Sequence, residues 1–451
     1  VSEAATRDVV AIPVARDETD VARLTMRRVG LRLLPLLFVL FVCNYIDRTN
    51  IAMAKLQMNR DLGFTETAYA LGASIFFIGY ILFEVPSNLV LARVGARRWI
   101  ARIMISWGLV AAAMMFVRSP LHFYILRVLL GITEAGFFPG IVFYLRQWFP
   151  AAQRARSLAR FMIAMALAGT IGNPLGGWLL GFDGRFGLRG WQWLFLVEGA
   201  LSVLLGFAVL AFLADQPEHV RWLSREQRDW LVDRLARDED ASLAPHDLSA
   251  LRALVHGPIW LVALPFFLMN ASFYGYLFWA PSIVQDTLHV SNLATGLITG
   301  ASSCLAAVAM LAVGLSCDRT GERLLHASGA ALLVAIGYAG AALLPGPIAR
   351  VACLVLVNAG VMSFTVAFWS VSSSLLRGTA AAGGIALVNS LGNVGGLVGP
   401  FAIGRLKDAT GGTGAAFILL ATLAVGAAAL FVSYRRQAAF ATSGLKAAAG
   451  S

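Results

Sequence analysis

Residues 43–54 read "CNYIDRTNIAMA", with Asp47 and Arg48 side by side directly after the apolar run 31–42. Two more ionisable residues, Arg127 and Glu134, lie in a second apolar run. Their spacing is almost two helical turns, so both project from one helix face roughly 10 Å apart. A guanidinium stays charged and forks bidentately onto a carboxylate, which suits Arg48 and Arg127 to holding an organic anion. Asp47 and Glu134 suit proton carriage, because burial disfavours a charged carboxyl and a nearby arginine favours it. An anion arriving at either arginine competes with these acids for positive charge. An acid that loses its partner takes up a proton more readily, so anion and proton each favour the other's binding. The bland alternative is that Asp47–Arg48 or Arg127–Glu134 are internal ion pairs that only fix helix packing. Intramembrane ionisable groups are functional by default, which favours the chemical reading.

Charges so placed need elements that carry them into apolar surroundings. The 451 residues are 58% hydrophobic and 14% charged, against about 25% charged in an average soluble domain. The solvent of this chain is therefore lipid. A membrane helix needs about 20 mainly apolar residues. Runs that qualify are 33–56, 67–91, 99–117, 121–145, 158–181, 191–213, 258–284, 293–316, 324–344, 349–374, 380–404 and 413–434. These twelve spans predict an all-α membrane protein. Of its 36 Lys and Arg, 26 fall in alternate segments beginning with the first, 8 fall in the others, and Arg48 and Arg127 remain inside spans. Basic residues concentrate on the cytoplasmic side, which puts both termini there. Arg127 then lies roughly 9 Å, and Arg48 roughly 12 Å, from the outer side at helical rise, so the two share a similar depth.

The net charge of +11 thus reads as membrane topology, and no nucleic-acid partner is expected. Cys43, Cys304, Cys317 and Cys353 lack metal-ligand spacing, so no metal, disulfide framework or other cofactor is expected. No His-Glu-x-x-His, Ser–Lys or paired-aspartate arrangement stands out, which argues against an enzyme. Residues 1–32 read as a cytoplasmic tail rather than a removable signal peptide. Residues 33–214 form a first six-helix bundle, 215–256 a cytoplasmic linker, 257–435 a second bundle and 436–451 a cytoplasmic tail. In the linker, Ser224 to Gln227 has the spacing of a capping box, and Leu231, Val232 and Leu235 recur at helical intervals. A short amphipathic helix is expected there.

The halves repeat. "NLVLARVGARR" follows the second span and "GLSCDRTGERL" the eighth, with Gly95 and Gly321 226 residues apart. "GNPLGG" (172–177) and "GNVGG" (392–396) recur at an offset of 220 residues. Their glycines read as close packing between helices. A six-plus-six array is the layout of a carrier whose halves rock about a central site. The run Gly314, Asp318, Arg319, Gly321, Arg323 is similar to the signature loop of the major facilitator superfamily. "NYIDRTNIA", "FFIGYILFEVPSNL", "RVLLGITEAGFFPG", "WFPAAQRARS", "WQWLFLVEG" and "PEHVRWLSREQRDWL" resemble its anion:cation symporter branch. The resemblance covers nearly the whole chain. It implies two pseudo-symmetric bundles, the major facilitator fold. The branch includes proton-coupled bacterial carriers of tartrate, sugar acids and phthalate, and animal carriers of sialic acid and glutamate. One departure is that Ala92 stands where the second-half loop has Asp318, so an acid latch there should be weaker in the first half.

The resemblance also places Tyr80 at the substrate cavity. The second half adds neutral polar groups suited to a hydroxylated acid: Asn270, Tyr274, Trp369, Ser370, Asn389 and Asn393. Each could equally be glue between helices. Glu84, near the cytoplasmic end of its span, is expected to close an inner gate with a loop arginine. Asp318, Arg319, Gly321 and Arg323 are expected to act in the conformational change. Glu198 reads as structural, with its partner open. The leading expectation is proton-coupled uptake, by alternating access, of a small hydroxylated carboxylate such as tartrate or an aldonate. An aromatic carboxylate is the alternative, given Phe76, Phe77, Phe137, Phe138, Phe278 and Trp369. A proton-coupled drug or metabolite antiporter would want an arginine-poor cavity. The expected partners are the anion, protons and lipid of a bacterial inner membrane, for a multi-pass monomer.

Overall fold

The computed structural model describes residues 14–240, 257–375 and 380–449. Residues 1–13 of the expected tail, 241–256 of the linker and the loop arginine Arg377 lie outside the described residues. The long helices of the first half are α1 Val14–Leu62, α2 Glu66–Val94, α3 Ala96–Ala113, α4 Pro120–Glu134, α5 Phe137–Trp148, α6 Ala151–Leu180 and α7 Gly190–Phe212. A linker helix, α8, spans Arg225–Asp240. The second half comprises α9 Gly257–Leu288, α10 Asn292–Thr320, α11 Arg323–Leu343, α12 Pro347–Leu375, α13 Ala380–Thr410 and α14 Gly414–Ala449. With α4 and α5 counted as one interrupted span, twelve helical spans result.

Local chemistry sets the ends. Thr65, Ser119 and Ser291 cap α2, α4 and α10, each hydroxyl accepting from a backbone N–H three residues on. The linker capping box is present in full: Ser224 Oγ accepts from Gln227 N at 3.2 Å, and Gln227 Oε1 accepts from Ser224 N at 3.3 Å. Its helix rests on α1, where Arg28 donates to Gln227 Oε1 at 2.9 Å. Gly95 and Gly321, the repeated loop glycines, both take positive φ, 93° and 69°, where a side chain would be strained.

Helices α1–α7 pack as one bundle and α9–α14 as another, with α8 on the end formed by the linker. Large apolar side chains such as Leu204, Phe212 and Ile348 face outward around both bundles. A belt of that kind needs lipid rather than water. The bundles meet through α1 on α9, α2 on α13 and α6 on α10. The tightest of these contacts lie toward the end opposite the linker, called here the far end. A Cβ on Gly296 would sit 2.4 Å from Asn173 O, and one on Gly404 would sit 2.4 Å from Ala70 Cβ.

The expected span 121–145 is broken. Glu134 ends α4, Ala135 is extended and Gly136 has φ 87° before α5 begins. Pro139 explains the break, since a proline ring clashes with the carbonyl four residues back in a continuous helix. Helix α1 also runs further than expected at both ends, so Lys55, at the edge of the expected span 33–56, lies about two turns inside the helix.

Within the first bundle, α2 and α4 approach at glycines. A Cβ on Gly131 would lie 2.1 Å from Phe76 O, and one on Gly79 would lie 2.4 Å from Val128 O. Both obstacles are backbone, so neither can rotate away. Gly131→Val should destabilise the protein by about 1–3 kcal/mol through overpacking. Gly329→Ala, at a position with open space around it, should not. Thermal unfolding of the detergent-solubilised variants, followed by tryptophan fluorescence, measures the difference.

Candidate functional site

Successive helical residues differ by about 100° around the axis, at 3.6 residues per turn. Asp47 and Arg48 therefore leave α1 in different directions. Arg48 points toward the face between the bundles. Its guanidinium pairs with Glu134 at 2.6 Å, and its Nε also donates to Glu134 Oε1 at 2.6 Å. The Arg48 Cζ lies 4.9 Å from the centre of the Tyr80 ring and 5.6 Å from that of Phe76. Such cation–π contacts help hold a cation away from water. Tyr274 of α9 faces the same group from the second bundle, its ring 4.6 Å from Phe77.

Arg127 lies on the other side of Phe76, its Cζ 5.0 Å from the ring. The two guanidiniums are nonetheless offset along the membrane normal: Arg48 meets Glu134 and Tyr80, and Arg127 meets Gly72 and Ala73, about two turns away on α2. Arg127 is, however, committed to backbone: it donates to Gly72 O and Ala73 O of α2, both at 3.1 Å. Only 2% of its surface is exposed. In this conformation it braces α2 against α4.

Asp47 points into the first bundle instead. Trp107 Nε1 of α3 and Ser202 Oγ of α7 each donate to its Oδ2 at 2.6 Å, and Asn50 donates to Oδ1 at 3.3 Å. No ion pair forms at Asp47 among the described residues, so the reading of it as an arginine partner is corrected. Helix geometry is the reason. Glu198, one turn from Ser202 on α7, is the electrostatic neighbour of Asp47. It is buried, and neither carboxyl oxygen reaches a hydrogen-bond donor with good geometry. A buried carboxyl without partners is costly. The Asp47–Glu198 proximity was not expected from the sequence, although "VEG" in the seventh helix carried an unexplained acid.

The second-half residues are spread out. Asn270 donates to Phe266 O at 2.9 Å within α9 and packs where Gly392 and Gly395 bring α13 close. Asn389 donates to Glu84 Oε1 at 3.3 Å across the bundles. Among the described residues the hydrogen-bond partner of Glu84 is thus an amide of α13, while the loop arginine Arg377 lies outside them. Trp369 packs on Phe266, and Arg323 donates to Ser370 O at 3.3 Å. Those contacts place Trp369 and Ser370 near the linker end of α12, not at mid-depth. Asn393 is half-buried on α13, and Asp318 and Arg319 are exposed at the end of α10. The acid missing at Ala92 is supplied from elsewhere: Asp215, just past α7, accepts from Arg97 N at 2.8 Å.

The far end is closed by a polar network that sequence reading missed. Lys55 of α1 pairs with Glu66 at 2.7 Å, bonds Ser282 of α9 at 3.3 Å and lies 3.5 Å from the centre of the Trp279 ring. Glu66 also takes Lys407 of α13 at 2.9 Å. Thr67 donates to Asp408 through both N and Oγ1, and Tyr69 Oη donates to Phe278 O at 3.0 Å. The available signal was a lysine one residue short of the end of the apolar run 33–56.

Comparison with known proteins agrees with this architecture. A family model described as Major Facilitator Superfamily matches residues 37–400. A protein of Agrobacterium vitis named, provisionally, a tartrate transporter is 43% identical over 93% of this chain and 96% of its own. A quinolone resistance transporter of Acinetobacter baumannii is 39% identical over 89% of this chain and 92% of its own. The crystal structure of a bacterial homologue of the human lysosomal transporter Spinster, inward-facing and occupied, matches with a TM-score of 0.74. It is 16% identical, over 90% of this chain and 96% of that one.

Breaking one arm of the far-end network should open that end. Lys407→Gln removes one ammonium from Glu66 while leaving the Lys55 pair inside the first bundle. Spin labels at the exposed positions Arg60 and Leu293 should then report a larger population at long distance than in the unsubstituted protein. Unchanged distance distributions would show that the network does not hold the end shut.

Proposed function

The chain belongs to the Major Facilitator Superfamily, a membrane transporter rather than an enzyme, and we propose that it imports a small hydroxylated carboxylate together with protons across a bacterial inner membrane. The observation that carries this reading is the Arg48–Glu134 pair on the face between the bundles. A cation there meets a carboxylate that substrate can replace. The name of the Agrobacterium relative adds weight to an organic acid. The linker end is assigned to the cytoplasm, where the Lys and Arg excess would place it. The far-end closure then shuts the site off from the outer side.

The steps follow from the pair. A substrate carboxylate approaching Arg48 competes with Glu134 for its guanidinium fork. Glu134, 1% exposed, then loses its ion-pair partner, and the coupled proton is assigned to it. Proton first or anion first, each lowers the cost of the other's binding. Tyr80 and Tyr274 flank the site as hydroxyl donors and aromatic walls. Arg127 supports the site by bracing α2, and reaches substrate only if its backbone bonds to Gly72 and Ala73 are released. Asp47 is assigned a second proton site, read by Trp107 and Ser202 rather than by an arginine. Glu84 and the loop residues Asp318, Arg319, Gly321 and Arg323 are assigned to closure of the linker end.

Drug efflux by antiport is the second reading, and the quinolone-resistance relative is the observation that favours it. Arg48 argues against a cationic drug at this position.

Two variants separate coupling from recognition. In proteoliposomes, Glu134→Gln should abolish uptake driven by an imposed pH gradient yet retain exchange of labelled substrate for unlabelled. Arg48→Lys keeps the charge but loses the fork, so it should weaken substrate binding about tenfold or more, the worth of one charge-assisted hydrogen bond. Proton-driven uptake that is intact in Glu134→Gln would refute the coupling role.

A further inference from the structure

Helix α3 buries one side against the first bundle, with Ile100, Met104, Trp107 and Ala111. Its opposite face carries Arg98, Arg102 and Leu109, all exposed, and the turn after it adds the exposed Phe116. Arg98 and Arg102 are one turn apart, so their Cβ atoms are neighbours at about 5–6 Å. Leu109 and Phe116 belong to the outward apolar belt, which on this helix turns basic toward the linker end. Phe116 lies fourteen residues beyond Arg102, roughly 21 Å at helical rise, while the hydrocarbon layer is about 30 Å thick. With Phe116 at the far boundary, Arg102 leaves its helix inside the apolar layer. Its stem must then carry the guanidinium to the boundary, where Arg98 already stands.

Neither guanidinium meets an acid. Among the described residues, Arg98 and Arg102 make no ion pair. Arg97, beside them in sequence, turns the other way and donates through Nε to Leu210 O of α7 at 2.9 Å. Arg102 instead lies over Trp99, its Cζ 4.1 Å from the ring centre. Its one hydrogen bond is long, 3.5 Å to Thr133 O at the end of α4. Trp99 is held in turn, its Nε1 donating to Ser87 Oγ of α2 at 3.0 Å. A tryptophan so placed suits the border between lipid and water. Charged side chains within a span nearly always turn inward and pair. Like charges one turn apart on a helix repel each other. Two outward arginines without a protein anion therefore need one from outside the protein.

The boundary of the apolar layer supplies such an anion, the phosphate of a lipid, and guanidinium forks bind phosphate bidentately. We propose that Arg98 and Arg102, backed by Trp99, hold the phosphate of an anionic phospholipid whose acyl chains run along Leu109 and Phe116. A zwitterionic lipid carries an ammonium beside its phosphate and leaves the two cations unanswered, so a lipid of net negative charge is selected. A free phosphate ion would answer the charge but leave the apolar face of α3 uncovered. The site backs onto the break between α4 and α5. Thr133, whose carbonyl Arg102 reaches, precedes Glu134, and Ser87, which holds Trp99, abuts Gly136, where an added Cβ would lie 2.3 Å from Ser87 Oγ. The lipid thus sits against the outer side of the helix end that carries Glu134. The assignment holds whichever substrate is carried.

The test is photolabelling of the whole protein in phosphatidylcholine nanodiscs. A trace of phosphatidylglycerol or of phosphatidylcholine is added, each with the same diazirine beside its headgroup, and the labelled peptides are mapped. Phosphatidylglycerol should label the peptide containing Arg98–Leu109 at least about fivefold more than phosphatidylcholine does. Arg102→Gln should lower that labelling about fivefold, and Arg98→Gln with Arg102→Gln about tenfold or more. Arg225→Gln, which removes an exposed charge from α8 at the same end, should leave it within about twofold. Equal labelling by the two lipids overturns the site, and so does undiminished labelling in the double variant or an equal loss in Arg225→Gln. Displacement of the lipid by millimolar inorganic phosphate also overturns it, since that would mark a site for soluble anions. The preference of the unsubstituted protein and the single Arg102→Gln change keep the test decisive if the double variant does not fold.

Discussion

The charge of Arg48 on the face between the bundles is answered by one buried carboxylate, Glu134, whereas Arg127 is answered by carbonyls of α2. A charged side chain at mid-membrane costs about 2.5–3.5 kcal/mol on insertion scales. Removing one partner of a buried pair costs about 3–5 kcal/mol, mostly because the other charge is left stranded. Arg48 and Glu134 are therefore free to separate only when something else neutralises each of them. An incoming carboxylate can do so for Arg48, and a proton can do so for Glu134. The obligation to exchange partners, rather than any one contact, is what couples two solutes at a single place.

That constraint explains why so much of the first bundle is built around two side chains. The glycines of α2 and α4 let the helices touch, which brings Phe76 and Tyr80 of α2 against Arg48. Arg127 locks the same interface by bonding the α2 carbonyls. The break at Gly136 ends α4 at Glu134 and turns Phe137 onto Trp107, which in turn donates to Asp47. Rigidity on this side contrasts with the contacts between bundles. Those are made by glycines at close approach and by exchangeable ion pairs such as Glu66 with Lys407. Such contacts can be undone and remade without repacking a core.

Much of this was legible in the sequence, for identifiable reasons. Hydropathy marked the spans, because lipid forbids unsatisfied backbone and leaves helices as the remaining choice for a chain of this composition. The spacing of Arg127 and Glu134 placed both on one face of one helix. The capping box at Ser224 was readable because it is local. Three features were not readable, and each is non-local. The directions of Asp47 and Arg48 depend on which neighbours α1 meets, not on their adjacency. Lys55 stood at the edge of an expected span, and only the second bundle supplies the Trp279 ring and Ser282 that bury it. Asp215 replaces the acid absent at Ala92 from more than a hundred residues away. The break after Glu134 was readable in principle from Gly136 and Pro139, but the uninterrupted apolar pattern masked it.

Charge balance also limits what the Arg48 site can load. Among the described residues, Arg48 is the cation at the bundle interface whose countercharge is a single buried carboxyl. Replacing that carboxylate with a monocarboxylate, while Glu134 is protonated, leaves the site with the same net charge before and after loading. The interface can then rearrange around a loaded or an empty site at comparable electrostatic cost. The exchange is therefore one for one: a carboxylate at Arg48 brings the charge that a proton removes from Glu134, and neither can load alone without stranding the other.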